Sequence, residues 1–145
     1  MRISSIRIYF ERKEELAMKS EVIIPKGWAK PFAPYSPAVK KGNMVFTAGQ
    51  LALNEKGELV GKGDIKAQTR QVLENVRACL EAAGARMEDV VVSHVFLTDV
   101  ANFQAMNEVY GEYFSENFPA RACVITGLVK KEFLVEIAVI AVTGG

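Results

Sequence analysis

The stretch FPARACVITGLVKKEFLVEIAVIAV, residues 118–142, holds two segments with the β-branched and apolar composition of strands. They are residues 121–126 and 133–142. In the second segment, Val135, Ile137, Val139 and Ala141 point one way, and Leu134, Glu136, Ala138 and Ile140 point the other. Both faces of the predicted sheet are therefore largely apolar, and each face needs a cover.

Two helices are predicted before these strands. Asp64 is a suitable N-cap for a long helix that ends at Gly84, and Asn102 can cap a second helix. Apolar residues recur at three- and four-residue intervals in the first helix, and aromatic residues line the inner side of the second. These residues are Ile65, Val72, Leu73, Val76, Leu80 and Ala83 in the first, and Phe103, Met106, Tyr110, Tyr113 and Phe114 in the second.

The remaining segments complete an α+β sandwich, in which a mixed sheet carries two α-helices on one face. Strands are predicted at residues 21–24, 43–53 and 90–97, with an ordered loop of four prolines at 25–37. A turn at 54–58 predicts a hairpin with Leu59 and Val60. Because two helices can shield only one face of the sheet, we expect other subunits to bury the second face.

The length of 145 residues predicts one compact domain. Residues 1–17 differ from the rest and are interpreted as an N-terminal extension of unclear role, followed by a single domain at 18–145. The alternation of Ile6, Ile8 and Phe10 with polar residues leaves an extra edge strand open as an alternative.

Composition limits the possible partners. The formal net charge is +1, so nucleic acid is an unlikely partner, and no apolar run reaches the length of a membrane span. Cys79 and Cys123 lack metal-binding spacing, and His94 is the single histidine. We therefore expect a cytoplasmic protein without a metal or cofactor. Cys123 is interpreted as a buried thiol rather than a nucleophile paired with His94.

Glu136 and Arg121 are the residues that most require an explanation. Glu136 is the only charge in the apolar run FLVEIAVIAV, and burying an unpaired carboxylate is costly. If the last two strands form a hairpin around Lys130, Arg121 and Glu136 become diagonal neighbours on one face, with Cα atoms roughly 7 to 8 Å apart. They could hold a small carboxylate between them, or form a buried ion pair that joins two subunits; the spacing leaves both open.

Four segments together resemble the Rid (YjgF, reactive intermediate deaminase) family, formerly called an L-PSP endoribonuclease family. They are APYSPAVKKGNMVFTAGQ, KAQTRQVLENVRACLEAAGA, NEVYGEYF and the stretch at 118–142. The resemblance covers residues 20–143, and its most specific part is PAR-x-C with a glutamate fifteen residues beyond the arginine. GLVK followed by LVEIA is similar to the aminoacrylate deaminases of pyrimidine breakdown.

The resemblance implies a chorismate-mutase-like fold and a homotrimer with a central barrel of sheets and sites in the clefts between subunits. In the family pattern, Arg121 matches the arginine that binds the substrate carboxylate. Glu136 matches the glutamate that activates water or protonates the enamine carbon. Cys123 matches a position that contacts the ligand through its backbone.

The resemblance also implies supporting residues. Tyr35 and Asn107 match residues that line or support the pocket. Ala48, in TAGQ, stands where many members carry a serine, so a hydroxyl contact found elsewhere in the family is missing at this substrate-binding position.

The implied function is the cofactor-independent hydrolysis of 2-iminopropanoate, 2-iminobutanoate or 3-aminoacrylate to an oxo acid and ammonia. Two alternatives remain open at this point. One is the endoribonuclease or translation inhibitor of the older family label, and the other is a non-catalytic module that binds small carboxylates or acts like a chaperone.

Overall fold

The computed structural model describes residues 2–144, apart from the side chains of residues 2, 3 and 16–18. The helices are α1 (Arg2–Met18), α2 (Ile65–Ala82) and α3 (Phe103–Tyr113); the strands are β1 (Glu21–Ile23), β2 (Ala38–Lys41), β3 (Met44–Thr47), β4 (Val90–Leu97), β5 (Ala120–Ile125) and β6 (Val135–Val142). The six strands form a sheet in the order β1-β2-β3-β6-β4-β5. β4 and β5 are parallel and the other neighbours antiparallel, so the sheet is mixed, as predicted.

One face of the sheet and the two helices α2 and α3 form a single hydrophobic core. Val135, Ile137, Val139 and Ala141 of β6 are all buried in it, which confirms the predicted alternation. The helices contribute Val72, Leu73, Val76 and Leu80 from α2 and Met106, Tyr110 and Phe114 from the α3 region. The predicted α+β arrangement with two helices on one face is therefore confirmed.

The helix boundaries follow from local chemistry. The Asp64 side chain accepts a hydrogen bond from the Ala67 N–H at 3.0 Å, and Gly84 follows α2 with φ of +77°, so both predicted ends of α2 are confirmed. α3 begins after Asn102, but the Asn102 side chain makes no capping bond. Asp99 instead caps a short 3₁₀ turn that leads into α3, accepting from the Ala101 N–H.

The predicted strand at 43–53 is wrong in part. β3 ends at Thr47, and beyond it Gln50 forms an isolated bridge to Ile137, while the predicted hairpin is reduced to a bridge between Leu53 and Leu59. β2 was missed because Ala-Val-Lys-Lys lacks a strand-like composition. The tight turn at Gly42, where φ is +59°, folds this segment back on β3, and pairing with β3 makes it a strand.

The predicted hairpin between the last two strands is also wrong, because β4 lies between them. β5 runs parallel to β4, with Arg121 beside Ser93, and α3 supplies the crossover that a parallel pair requires. β6 pairs with the other edge of β4, with Glu136 beside Phe96. The short connection from β5 to β6 therefore spans an intervening strand instead of forming a turn between neighbours.

The second face of the sheet is apolar and substantially exposed. Residues on it are Val22, Met44, Phe46 and Val124, with exposed fractions of 58%, 37%, 38% and 47%. We call it the open face. Patches of this kind mark interaction surfaces, so the open face is where the predicted subunit contact would lie.

The N-terminal segment forms α1, so the edge-strand interpretation of residues 6–10 is wrong. Every side chain from Ser4 to Glu15 is exposed, including those of Ile6, Tyr9 and Phe10. In the described part of the chain, no helix combines the length and apolar character needed to cross a membrane. The division between an extension at 1–17 and a domain at 18–145 stays a prediction.

We expect a chain that begins at Met18 to keep the melting temperature of the full chain within about 2 °C, less than about 1 kcal/mol for a domain of this size. The reason is that every described side chain of α1 is exposed and none of them belongs to the hydrophobic core. Thermal unfolding followed by circular dichroism measures the difference. A fall of several degrees would show that α1 packs on the domain in solution.

Candidate active site

Glu136 lies near the start of β6 and points to the open face, because its neighbours Val135 and Ile137 point into the core. Its side chain is partly buried, and within the described residues no group donates a hydrogen bond to its carboxylate or forms an ion pair with it. Desolvation raises the pKa of Glu136 above its ordinary value. The carboxylate is therefore suited to exchange protons nearer to neutral pH.

The backbone of Gly49 provides the space that the Glu136 carboxylate occupies. A Cβ placed on Gly49 would lie 2.7 Å from Cδ of Glu136, which is closer than two carbon atoms can pack. Gly49 is brought there by the next residue, since Gln50 bridges to Ile137 in β6. The sequence analysis assigned no role to Gly49; its place before Gln50 in a strand-like segment was the available signal.

Tyr35 lies near the same carboxylate, and Ala48 adjoins Gly49 in the chain. Tyr35 is 44% exposed, and its pKa is raised by burial first and by the charge of Glu136 second, so the two residues interact. Ala48 precedes Gly49, and its N–H donates to the Pro37 carbonyl at 2.9 Å. We call Tyr35, Ala48, Gly49 and Glu136 the Glu136 half-site.

A cavity adjoins this half-site. It lies between the proline-rich loop and residues 49–57, and its walls include Trp28, Phe32 and Leu51. It shares Tyr35 and Gly49 with the half-site, but neither Glu136 nor Arg121 lines it. The cavity adds apolar and aromatic surface next to the half-site, while the acid-base group lies outside it.

Arg121 is an exposed residue on β5, the edge strand of the sheet. It is paired with Ser93, which is buried in the core and is also paired with Val139 of β6. Arg121 therefore points to the helix-covered face, where its Nη1 donates to Oδ1 of Asn107 at 2.8 Å. Among the described residues, Nε and Nη2 have no acceptor, which leaves one edge of the guanidinium open for a ligand.

Cys123 follows two residues later on the same face, and its half-buried side chain packs against the core. Burial raises the pKa of the Cys123 thiol, and the charge of Arg121 offsets only part of this. His94 is paired with Ala122 and lies on the open face, so a Cys-His pair does not form. The thiol is therefore partly rather than fully buried, and it has no histidine to activate it as a nucleophile. We call Asn107, Arg121 and Cys123 the Arg121 half-site.

The structure thus divides the predicted site residues into two half-sites on opposite faces of the sheet. Arg121 and Glu136 are two strands apart and three residues out of register, which puts their Cα atoms roughly 14 Å apart. The expectation that they are diagonal neighbours on one face of one chain is wrong. Within the described part of one chain no ion pair joins them, and the alternative of an ion pair between two subunits stays a prediction.

Within residues 2–144, no three histidine, cysteine, aspartate or glutamate side chains are grouped closely enough to hold a metal ion.

Comparison with known proteins gives consistent results. The sequence model of the endoribonuclease L-PSP family matches residues 28–143. The chain is 48% identical over 124 residues to the 3-aminoacrylate deaminase RutC of Acinetobacter baylyi, covering 86% of this chain and 98% of that protein.

Solved structures agree with the sequence comparison. A Thermotoga maritima protein matches with a TM-score of 0.81 and 42% identity, covering 88% of this chain and all (100%) of that one. A Yersinia pestis protein of the conserved Rid family matches with a TM-score of 0.80 and 37% identity, and the match covers 86% of this chain and 100% of the Yersinia chain.

The fold and the comparisons define a small α+β protein of the L-PSP class. Within that class, the chain belongs to the Rid (YjgF) family, which confirms the resemblance carried by the PAR-x-C element and the distant glutamate.

We expect Gly49→Ala to displace the Glu136 carboxylate by about 1 Å or more, because the new methyl group takes its place. The melting temperature should change by less than about 2 °C, since the displaced group is the end of a flexible side chain. A crystal structure and a thermal melt of the variant measure both effects.

Gly111→Ala is the matched control. Gly111 lies in α3 with open space around its Cα, so this variant should leave Glu136 in place and gain helix propensity. An unmoved Glu136 in Gly49→Ala would contradict the role given to Gly49.

Proposed function

We propose that the protein is a deaminase that hydrolyses small 2-imino acids, or their enamine forms, to oxo acids and ammonia. The Acinetobacter relative is named for 3-aminoacrylate, an enamine acid, which supports this substrate class. The observation that carries the proposal is a partly desolvated, unpaired carboxylate at Glu136, together with a guanidinium at Arg121 that has a free edge. These two groups are suited to proton transfer and to carboxylate binding.

The two half-sites are joined by a second subunit in this proposal. One chain holds them on opposite faces, so an intact site needs Arg121 from one copy and Glu136 from another. The apolar open face and the unpaired outer edge of β5 supply surfaces for such a contact. A homotrimer, as the family resemblance implies, would contain three equivalent sites of this kind.

The reaction consists of proton transfers and the addition of water. The substrate carboxylate binds the free edge of Arg121. With 3-aminoacrylate, protonation of C2 by Glu136 gives the iminium form; with a 2-imino acid, the electrophilic carbon is already present. Glu136, as a carboxylate, then takes a proton from water as the water oxygen bonds to the imine carbon. Transfer of the proton of the new hydroxyl group to nitrogen, relayed by Glu136, breaks the C–N bond as the C=O bond forms, so ammonia leaves and the oxo acid remains.

The proposal includes no cofactor, because no electron is gained or lost in this sequence. It places the reaction in the cytoplasm, where other enzymes release imines and enamines. Tyr35, Ala48, Asn107 and Cys123 keep their predicted positions around the substrate, with Ala48 removing the hydroxyl contact that a serine would make.

Mixing two inactive variants tests the shared site. We expect Arg121→Ala and Glu136→Gln each to lose the acceleration of ammonia release from freshly generated 2-iminopropanoate. After unfolding and refolding together, random mixed oligomers should recover roughly one quarter of the wild-type activity, since one interface in four has both groups intact.

The same mixture without refolding serves as the control, because its subunits have not been exchanged. If refolded mixtures stay inactive while each variant assembles normally, the shared site is wrong. If both single variants match an active wild type, the roles of Arg121 and Glu136 are wrong, and a wild type that does not accelerate ammonia release would overturn the deaminase function itself.

The acidic limb of the pH profile should report Glu136. Because desolvation raises its pKa, we expect the catalysed rate with 2-iminopropanoate to fall as pH decreases through a midpoint above the usual value of about 4.3 for glutamate. Protonated Glu136 cannot take a proton from water. The midpoint is obtained from rates corrected for the uncatalysed reaction. The control variant Tyr35→Phe should have the same midpoint as the wild type. A midpoint at or below the usual pKa of glutamate would contradict the role of Glu136 as the proton acceptor.

The family description also names an endoribonuclease, and the assay includes RNA for that reason. Three results together would support a ribonuclease function instead of a deaminase function. Highly purified protein would cleave RNA, Glu136→Ala would abolish that cleavage, and imine hydrolysis would not depend on Glu136. The formal net charge of +1 favours the opposite result, because it gives the chain little general attraction for RNA.

A further inference from the structure

The guanidinium of Arg121 lies over an aromatic ring that the sequence interpretation treated only as helix core. Its Cζ is 4.8 Å from the centroid of the Tyr110 ring and 5.8 Å from that of the Phe103 ring. A guanidinium within about 6 Å of a ring centroid is attracted by the negative face of the ring. Tyr110 therefore acts on Arg121 as well as packing in the core.

The Tyr110 ring is a fixed platform. It is 6% exposed, and it packs on Phe114 with 4.7 Å between ring centroids. Phe103, Asn107 and Tyr110 are spaced by four and three residues along α3, so they share one face of the helix. One helix face thus presents two rings and an amide to the same guanidinium.

The hydroxyl of Tyr110 contributes little to this contact. In the described part of the chain, the hydroxyl oxygens of Tyr110 and Ser93 are both buried and neither has a hydrogen-bond partner. Burial raises the pKa of Tyr110, while the charge of Arg121 opposes that rise. The ring, which carries the stacking, is therefore the part of Tyr110 that holds Arg121.

The ring and the amide together restrain the guanidinium. Its Cζ lies over the Tyr110 ring, and its Nη1 donates a hydrogen bond to Asn107. The remaining edge, with Nε and Nη2, is the pair of donors that can bind a carboxylate through two parallel hydrogen bonds. An arginine fixed in advance loses less side-chain entropy when its ligand binds.

We infer that Tyr110 is a positioning residue for the reaction, because its ring orients Arg121 to receive the substrate carboxylate. This inference rests on the proposed function, which assigns the carboxylate to Arg121. It predicts an effect on substrate binding rather than on the chemical step at Glu136.

Kinetics of a Tyr110 series on 2-iminopropanoate test the inference. Tyr110→Leu removes the ring and should raise KM roughly tenfold while kcat changes by less than about twofold. Tyr110→Phe keeps the ring face and should match the wild type within about twofold in both constants. A merely structural role would not separate KM from kcat in this way.

Phe114→Leu is the matched control, since it removes a buried ring next to Tyr110 that does not stack on Arg121. It should leave KM unchanged, and an equal rise in KM for Phe114→Leu would overturn the inference. If Tyr110→Leu does not fold, Phe103→Leu decides, because Phe103 is 41% exposed and its loss leaves the core intact. That variant should raise KM by about two- to threefold, and an unchanged KM would overturn the inference.

Binding of the product 2-oxopropanoate separates this inference from the proposed function. Calorimetry should show the same roughly tenfold weakening for Tyr110→Leu and none for Tyr110→Phe. If binding follows this pattern but the wild type releases no ammonia, the deaminase function is wrong and the role of Tyr110 in carboxylate binding is supported. If the wild type is active and all variants match it, only the role of Tyr110 fails; a wild type that neither reacts nor binds overturns both.

Discussion

β4 is hydrogen-bonded to β6 on one side and to β5 on the other, and this placement governs both the fold and the candidate site. Its Ser93, Val95 and Leu97 are buried in the core, so it fixes which residues of both neighbours face inward. Because Arg121 is in register with Ser93 and Glu136 with Phe96, the two charged groups are sent to opposite faces. A cation and an anion that would neutralise each other as neighbours therefore remain separately available to a ligand.

This separation leaves one chain with two incomplete features. Glu136 has lost part of its hydration without gaining an ionic partner, which is unfavourable for a carboxylate and is the cause of its raised pKa. The sheet around it presents Phe46 and Val124 to solvent. In the proposed oligomer both features would be relieved by one event, the burial of the open face against another copy that carries a cation on its edge strand. The proposed oligomer and the proposed chemistry thus depend on one contact.

Local features were predictable from the sequence because their causes are local. Asp64 and Gly84 set the ends of α2 through capping and a left-handed φ, and the alternation in β6 gave its buried side. Strand order was not predictable in this way, since the short link after β5 favoured a hairpin and only the tertiary fold places β4 between the two strands. Arg121 and Glu136 could be singled out as charges in apolar strands, while the role of Gly49 depends on the Glu136 side chain, which the fold brings to the place of its missing Cβ.

The two half-sites also differ in how firmly they are held. Arg121 is restrained by a ring face and an amide from α3, whereas Glu136 rests against the bare backbone of Gly49 without a hydrogen bond from any described residue. Carboxylate binding gains from a donor pair fixed before the ligand arrives. A group that gives up a proton and takes one back gains from being free of permanent partners, which would favour one protonation state. The difference in restraint therefore matches the proposed tasks of carboxylate binding and proton transfer. It follows from the register of β5 and β6 with β4, which places the two side chains on opposite faces of the sheet.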